Sequence, residues 1–294
     1  MLYLIDASYF VFRAWFSMPD DMVDPDGNPV NAMYGFTRFL GDFLENTNPE
    51  YVGVAFDTSL STCFRNEIYP DYKANRDPAP EELKQQFARC RAVTRAFGLA
   101  EYAEQRFEAD DIIGTLVVTM RERGMPSTIL SRDKDLLQLL DAGDAMWDYA
   151  GGKRTHYKDV REYIGVHAEQ VVDYLALAGD SVDNIPGVPG VGPKTASALL
   201  AHFETLDNIY DRLEEVAGVP VRGAAKLANR LTEHRESAFL SRRLTQIKCD
   251  VPVEADPDAV SRDAPDLDEL NTLYDEANFG QTLRRQADRV AERF

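Results

Sequence analysis

In the first half of the chain, two patterns of hydrophobic and polar residues follow one another in turn. Short apolar runs that predict buried strands lie at 2–6 (LYLID), 51–57 (YVGVAFD) and 127–131 (STILS). Helical periodicity that predicts amphipathic helices lies at about 31–46, 81–97 and 110–123. This alternation of strand and helix is typical of an α/β fold with a central, mostly parallel sheet flanked by helices.

The second half of the chain follows a different pattern. From about residue 166 the strand-like runs stop, and helices interrupted by the Gly/Pro-rich stretch NIPGVPGVGPKT take over. We therefore predict an α/β core at 1–165, a helical region at 166–250, and an extension at 251–294 that packs back on the core.

Composition narrows the class of protein. With 294 residues and 44% hydrophobic content, the chain is long enough for one large domain or two ordinary ones. It has no apolar run of the roughly 18 residues that a membrane span needs, and its start lacks the basic region of a signal peptide. Its three cysteines lack CxxC spacing, which fits a reducing compartment. We expect a cytoplasmic protein with no membrane partner.

The formal net charge of −18 argues at first against a nucleic-acid partner. The distribution of charge weakens that argument. The segment from Asp250 to Glu276 has ten acidic residues and one basic residue, Arg262, and so contributes half of the net negative charge. A basic surface could therefore survive locally elsewhere.

Acidic residues recur at predicted strand ends and helix edges. They are Asp6, Asp57, Glu108, Asp110, Asp111, Asp133, Asp135, Asp180 and Asp183. Any one of them could be a cap or turn residue. Ligand sites in open α/β sheets, however, lie at the carboxyl ends of the strands, where several of these acids should converge. Carboxylates crowded in this way cannot all stay ionised without cations, and oxygen-only ligands select Mg²⁺ or Mn²⁺. Paired ions of this type catalyse in-line phosphoryl displacement, which points to phosphodiester hydrolysis.

The motifs LIDAS, VAFDT, FRNEIYPDYKANR, FEADDIIG, SRDKDLLQL and LAGDSVDNIPGVPGVGPKTA resemble, in order and spacing, those of the 5′ nucleases. That family includes flap endonucleases, phage 5′ exonucleases and the 5′ nuclease domain of bacterial DNA polymerase I. The resemblance implies a PIN-like nuclease core, a helix-three-turn-helix DNA-binding region, and 5′→3′ exonuclease and 5′-flap endonuclease activity. It also implies two or more Mg²⁺ or Mn²⁺ ions. The first would lie among Asp6, Asp57, Glu108, Asp110, Asp111 and Asp133, and the second among Asp135, Asp180 and Asp183. Of these acids, Asp111 is expected to be shared between the ions or to lie behind the direct ligands.

Basic and aromatic residues match other parts of the family pattern. The segment at about 58–80 resembles the helical arch through which single-stranded 5′ ends pass. Within it, Tyr72, Lys73 and Arg76 match residues that stack on or contact the scissile phosphate, where a cation can stabilise transition-state charge. Arg13 lies seven residues after Asp6, at a position that is basic in relatives.

The stretch NIPGVPGVGPKT resembles the hairpin of the helix-three-turn-helix module. Its glycines would let backbone amides approach a DNA phosphate, and the following helix start would add its dipole. The matching DNA-binding residues are Gly190, Val191, Gly192, Pro193, Lys194 and Thr195. In relatives, loop carbonyls hold a monovalent cation, usually K⁺; the matching positions are Leu177, Ala178, Pro186, Val188 and Val191. One departure is Leu175, where many active relatives carry Lys or Arg.

Two other functions fit parts of this pattern. A DNA-junction-binding protein of the same fold with little activity would agree with Leu175. A phosphohydrolase of the aspartyl-phosphate type would need a DxD after the first strand, where this chain has DAS. We expect a stand-alone monomeric nuclease that acts in replication and repair on DNA with 5′ ends, flaps or nicks. A functional partnership with DNA polymerase and ligase is also expected.

Overall fold

A computed structural model describes residues 1–58 and 62–294. It contains a six-stranded sheet with the strand order β3-β2-β1-β4-β5-β6. All neighbours are parallel except β5 and β6. The strands are β1 (Leu2–Asp6), β2 (Tyr51–Asp57), β3 (Ala100–Glu104), β4 (Ser127–Leu130), β5 (Ala145–Asp148) and β6 (Lys153–His156). The predicted α/β class with a mostly parallel sheet is confirmed.

Helices cover both faces of this sheet. In chain order they are α1 (Ala7–Ser17), α2 (Asn31–Thr47), α3 (Phe64–Ile68), α4 (Glu81–Ala96), α5 (Ala109–Glu122), α6 (Val160–Ile164), α7 (Val171–Ala178), α8 (Pro193–Phe203), α9 (Leu206–Asp211), α10 (Ala224–Glu233), α11 (Arg235–Thr245), α12 (Leu267–Glu276) and α13 (Gln281–Ala291). The described part of the chain has no helix long and apolar enough to cross a membrane.

Two apolar cores hold the layers together, one on each face of the sheet. On one face α1, α2, α4, α12 and α13 bury large side chains such as Phe36, Phe43 and Tyr274. On the other face α5 lies against the sheet, and its core continues into α7–α10 of the helical region. Residues of 251–294 pack on α2 and α4 through α12 and α13. Burial at about 25 cal/mol per Å² makes these cores the main stabilising contribution.

The register of the two central strands creates the edge on which the site lies. Asp6 pairs with Ala55, so that Asp57 extends two residues further at the same end of the sheet. Both side chains therefore sit where β1 and β2 give way to the segments that follow them. The sheet order places α5 and β4 beside them.

The segment at 58–80 was predicted to form an arch, and residues 59–61 of it lie outside the described residues. The rest contains the short helix α3, followed by turns that lie on the loop 180–184. Lys73 donates its backbone amide to the Asp183 carbonyl at 3.0 Å, and Asn184 donates its side-chain amide to the Asp71 carbonyl at 2.7 Å. This contact brings the basic residues of the segment to the acidic edge of the sheet.

Candidate metal centre

Acidic side chains from five regions of the chain line one cleft at the carboxyl edge of the sheet. The cleft has a volume of about 920 Å³. Its carboxylates are Asp6, Asp57, Glu108, Asp110, Asp133, Asp135, Asp180 and Asp183. Eight of the nine acids singled out in the sequence are thus brought together, although their metal-binding role stays a prediction.

Local structure sets each carboxylate in place. Asp6 caps α1, with Oδ1 accepting from the Tyr9 amide at 3.2 Å, and its Oδ2 accepts from the Ser131 hydroxyl at 2.8 Å. Asp57 accepts from the Ala109 amide at 2.8 Å and so ties β2 to the start of α5. These contacts use part of each carboxylate and stabilise it at the floor of the cleft.

Two glycines shape the loop that carries Asp180 and Asp183. Gly179 and Gly187 have φ values of +71° and +59°, and a Cβ on Gly187 would lie 2.3 Å from the Gly179 nitrogen. Only glycine permits this close backbone approach. The approach lets Asp180 and Ile185 exchange backbone hydrogen bonds at 3.0 and 2.7 Å, which fixes the loop between them.

The electrostatics of the cleft favour cations. Burial, with Asp57 nearby, raises the pKa of Asp6 to about 7. Burial and the neighbouring Asp133 likewise raise the pKa of Asp110 and of Asp135 well above the usual range. A raised pKa means that too little positive charge lies near the ionised carboxylate to stabilise it. A hard divalent ion would supply that charge. The donor set contains only oxygen and therefore fits Mg²⁺ or Mn²⁺.

Basic side chains of the protein itself already pair with two of the cleft carboxylates. Lys73 Nζ lies 2.6 Å from Glu108 Oε1 and 3.7 Å from Asp183 Oδ2, and Arg76 pairs with Asp183 Oδ1. Burial would raise the pKa of Glu108, but Lys73 and Arg65 hold it below its usual value. Within residues 1–58 and 62–294, no three acidic, histidine or cysteine side chains form a group that could hold an ion as they stand. An ion that binds Glu108 or Asp183 would compete there with Lys73 or Arg76.

Asp111 stands apart from the other predicted metal ligands, as its expected position behind them implies. Its side chain is fully buried and does not line the cleft. Oδ1 accepts from Arg65 Nη2 and the Lys248 amide, both at 2.8 Å, and Oδ2 accepts from Arg65 Nη1 at 2.7 Å and the Glu108 amide at 3.0 Å. Both oxygens are engaged by protein donors, so that Asp111 is a structural carboxylate.

Tyr72 is also placed differently from the prediction. Its side chain is only 4% exposed and packs with Ile185 and Leu244, so it is not free to stack on DNA. Its hydroxyl contacts Glu108 Oε2 at 3.0 Å and Asp183 Oδ2 at 3.4 Å. Tyr72 therefore orients cleft carboxylates in this structure.

The other predicted basic residues lie at the cleft. Arg13 is exposed on α1 and lines it together with Lys73 and Arg76. Leu175, at the position that is often basic in relatives, lies in the wall and is 8% exposed. The cleft thus combines a carboxylate floor with a cationic side.

The predicted hairpin contacts lie beside this cleft. Gly192 caps α8 and Pro193 is its first residue, whereas Lys194 is exposed in the first turn. Among the predicted K⁺ carbonyls, that of Leu177 accepts from the Val188 amide and that of Val188 from the Val191 amide, both at 2.9 Å. Ala178 lines the cleft. Pro186 precedes Gly187, whose carbonyl accepts from the Ser237 hydroxyl at 2.7 Å.

Sequence reasoning missed one residue of this centre, Arg65. The motif FRNEIYPDYKANR contains it, but only its position between Phe64 and the apolar Ile68 hinted at burial. Apart from the Cys63 sulfur, its hydrogen-bond partners are 43 to 181 residues away in the chain, so no local pattern could reveal them.

Family models match both halves of the chain. Residues 1–166 match the 5′-3′ exonuclease N-terminal resolvase-like domain, and residues 166–268 match the 5′-3′ exonuclease C-terminal SAM fold. The chain belongs to the 5′-3′ exonuclease family.

Relatives of two lengths support this assignment. A 5′-3′ exonuclease of Buchnera aphidicola is 32% identical over 279 residues, which are 95% of this chain and 96% of that protein. DNA polymerase I of Rhizobium leguminosarum is 40% identical over 294 residues and 98% of this chain. The chain spans only 28% of that polymerase.

Two solved structures share the fold. The T5 5′-exonuclease with bound zinc has a TM-score of 0.67 and 22% identity, covering 99% of this chain and 98% of that one. The catalytic core of Rad2 in complex with DNA substrate has a TM-score of 0.64 and 15% identity, covering 98% and 90%. At these identities the similarity concerns the fold.

Proposed function

We propose that this chain is a metal-dependent, structure-specific 5′ nuclease of DNA, with 5′→3′ exonuclease and 5′-flap endonuclease activity in replication and repair. The observation that carries the proposal is the single cleft in which eight carboxylates meet Lys73, Arg76 and Arg13. Carboxylates that the cations of the chain compensate only in part are suited to divalent ions and a phosphate. A junction-binding protein without chemistry would gain nothing from this mutual repulsion.

The cleft carboxylates, without Asp111, would hold two or more Mg²⁺ or Mn²⁺ ions. Asp6, Asp57, Glu108, Asp110 and Asp133 would serve the first ion, and Asp135, Asp180 and Asp183 the second. Such ions supply an activated water and neutralise charge on the transferred phosphoryl group. The chain's own residues orient the substrate: Lys73, Arg76 and Arg13 bind phosphate oxygens and stabilise their developing charge.

The hairpin at 190–195 would hold the duplex next to the cleft. The start of α8 favours a phosphate through its dipole, and Lys194 and Thr195 add side-chain contacts. We further propose that K⁺ binds carbonyls in this region, namely those of Leu177, Ala178, Pro186, Val188 and Val191. Contacts to the backbone alone give little sequence preference, so specificity would come from DNA shape.

A labelled double-flap substrate tests the function. Mg²⁺ or Mn²⁺ should support cleavage at the junction of single and double strands, and EDTA should stop it. Asp183→Asn should reduce cleavage more than DNA binding, with Asp268→Asn, an exposed acid on α12 outside the cleft, as control. The enzyme hypothesis fails if metal-loaded, DNA-bound protein leaves flap, nicked and single-stranded 5′ substrates intact.

The cellular setting is proposed on the same basis. A cytoplasmic monomer that removes 5′ flaps would work between a DNA polymerase, which produces them, and a ligase, which seals the nick. Mass measurement of the purified protein, with and without flap DNA, tests the monomer.

A further inference from the structure

Arg65 is the most deeply buried cation close to the cleft. It lies on the short helix α3, its side chain is 3% exposed, and the guanidinium is within 4.6 Å of the Phe64 ring centroid. An isolated buried charge is strongly destabilising, so a residue placed in this way needs a full set of partners.

The guanidinium uses all five of its N–H donors. Nη1 and Nη2 bind the two oxygens of Asp111 at 2.7 and 2.8 Å in a bidentate pair, and Nη1 also donates to Glu108 Oε2 at 3.4 Å and lies 3.8 Å from the Cys63 sulfur. Nε donates to the Leu244 carbonyl at 2.8 Å and Nη2 to the Gln246 carbonyl at 3.1 Å. Because an arginine has five donors in a fixed fork, this arrangement defines the position of every partner.

The consequence for Glu108 is that its two oxygens differ. Oε2 accepts from Arg65 and from the Tyr72 hydroxyl, whereas Oε1 faces Lys73. The guanidinium also compensates the charge of Asp111, which lies three residues after Glu108 in the chain. Without Arg65, only the Tyr72 hydroxyl would still hold Oε2 away from the cleft, and the buried charge of Asp111 close to Glu108 would be uncompensated.

The same guanidinium connects the cleft to the helical region. Leu244 is in the last turn of α11, and Gln246 follows that helix. α11 packs on α7, which leads directly into the loop of Asp180 and Asp183. Arg65 thus joins the base of the 58–80 segment, the start of α5 and the end of α11 at one point.

We propose that Arg65 is a positioning residue of the metal centre: it selects the Glu108 oxygen that faces the ions and ties that orientation to the docking of α11. This inference rests on the proposed function, because it assumes that Glu108 binds a divalent ion. Loss of an outer partner of a metal ligand typically lowers metal affinity by about 10–100-fold.

The test measures Mn²⁺ binding without DNA, by the electron paramagnetic resonance signal of free Mn²⁺. Arg65→Met/Asp111→Leu removes both charges of the buried pair and leaves no lone ion behind, so it should fold. We expect it to bind Mn²⁺ about 10–100-fold more weakly than the natural protein. The conservative Arg65→Lys, which keeps the charge but loses the fork, should fall between them.

A matched control lies at the other end of the same helix. Arg121 pairs there with Asp144, whose side chain is 2% exposed, far along α5 from Glu108. Arg121→Met/Asp144→Leu should alter stability and leave Mn²⁺ affinity unchanged.

Each result decides between a positioning and a merely structural role. A folded Arg65→Met/Asp111→Leu protein that binds Mn²⁺ as tightly as the natural protein would overturn the inference. If that double variant does not fold, unchanged affinity in folded Arg65→Lys would overturn it equally. If the natural protein itself binds no Mn²⁺, the proposed function fails instead, so the two failures are distinguishable.

Discussion

Asp110 and Asp111 are neighbours in the first turn of α5, yet their environments are opposite. Asp111 is completely buried, and four hydrogen bonds from protein donors satisfy its two oxygens. Asp110 lines the cleft, and burial together with Asp133 and Asp6 raises its pKa well above the usual range. The protein thus neutralises one carboxylate within the fold and leaves its neighbour uncompensated at the cleft.

The largest effect is expected at the neutralised member of the pair. Asp111→Asn removes the charge that compensates Arg65 and should lower the free energy of unfolding by about 3–5 kcal/mol. Urea denaturation in EDTA measures this, with Asp77→Asn, an exposed acid, as the control. A loss below about 1 kcal/mol, typical of a surface substitution, would contradict the assigned buried pair.

Asp110, the uncompensated carboxylate, should affect activity when it is replaced, and its loss should not destabilise the fold. Asp110→Asn should reduce cleavage by about 10²–10³-fold, the range for losing one preorganised electrostatic contact. It should also raise the melting temperature of the metal-free protein at alkaline pH. The sign follows because a carboxyl group with a raised pKa in the folded state binds its proton more tightly there, so its ionisation destabilises the fold as pH rises.

Differential scanning calorimetry in EDTA and in Mg²⁺ checks the stability part of that prediction. The advantage of Asp110→Asn should disappear when Mg²⁺ compensates the natural cleft. An equal or lower melting temperature in EDTA at every pH would show that Asp110 is compensated after all.

A smaller effect is expected at Lys73, because its ammonium group partly neutralises the carboxylates of the cleft. Lys73→Met removes the ammonium 2.6 Å from Glu108 Oε1 and should tighten Mn²⁺ binding about tenfold, or 1.4 kcal/mol, in the absence of DNA. The same change should slow cleavage. Lys84→Met, which removes an exposed lysine paired with Glu81, should leave both unchanged. Weaker Mn²⁺ binding by Lys73→Met would show that the lysine supports the ions instead of competing with them.

Much of the fold follows from pattern, for a physical reason. The strands at 2–6, 51–57 and 127–131 are buried on both faces, so their apolar runs stand out, and the structure places β1, β2 and β4 there. Sequence analysis did not predict β3, β5 or β6. β3 is only partly buried, and β6 is an edge strand with the sequence KRTH and one buried residue. Such strands are set by pairing with a neighbour, which a local pattern does not contain.

The site divides in the same way. Carboxylates at strand ends were identifiable because the edge of a parallel sheet gathers them. The sequence also sets Asp111 apart from the direct ligands, but it does not reveal the partners of Asp111, which are Arg65 and the Lys248 amide, 46 and 137 residues away. The burial of Tyr72 likewise depends on Ile185 and Leu244, which come from the helical region.

The smallest predicted effect concerns the cleft wall, where Leu175 leaves an apolar surface beside the charged groups. Leu175→Lys can lay its aliphatic stem along that wall and direct its ammonium into the cleft, so it should add about one phosphate contact. The plot of log binding constant against log salt concentration should then become steeper by about 0.9 for duplex DNA. Fluorescence anisotropy in EDTA measures the slope without cleavage, and Leu175→Met, which conserves volume, should leave it unchanged. An unaltered slope in Leu175→Lys would mean that the DNA backbone does not reach this wall, and the basic contacts would then come from Arg13, Lys73 and Arg76.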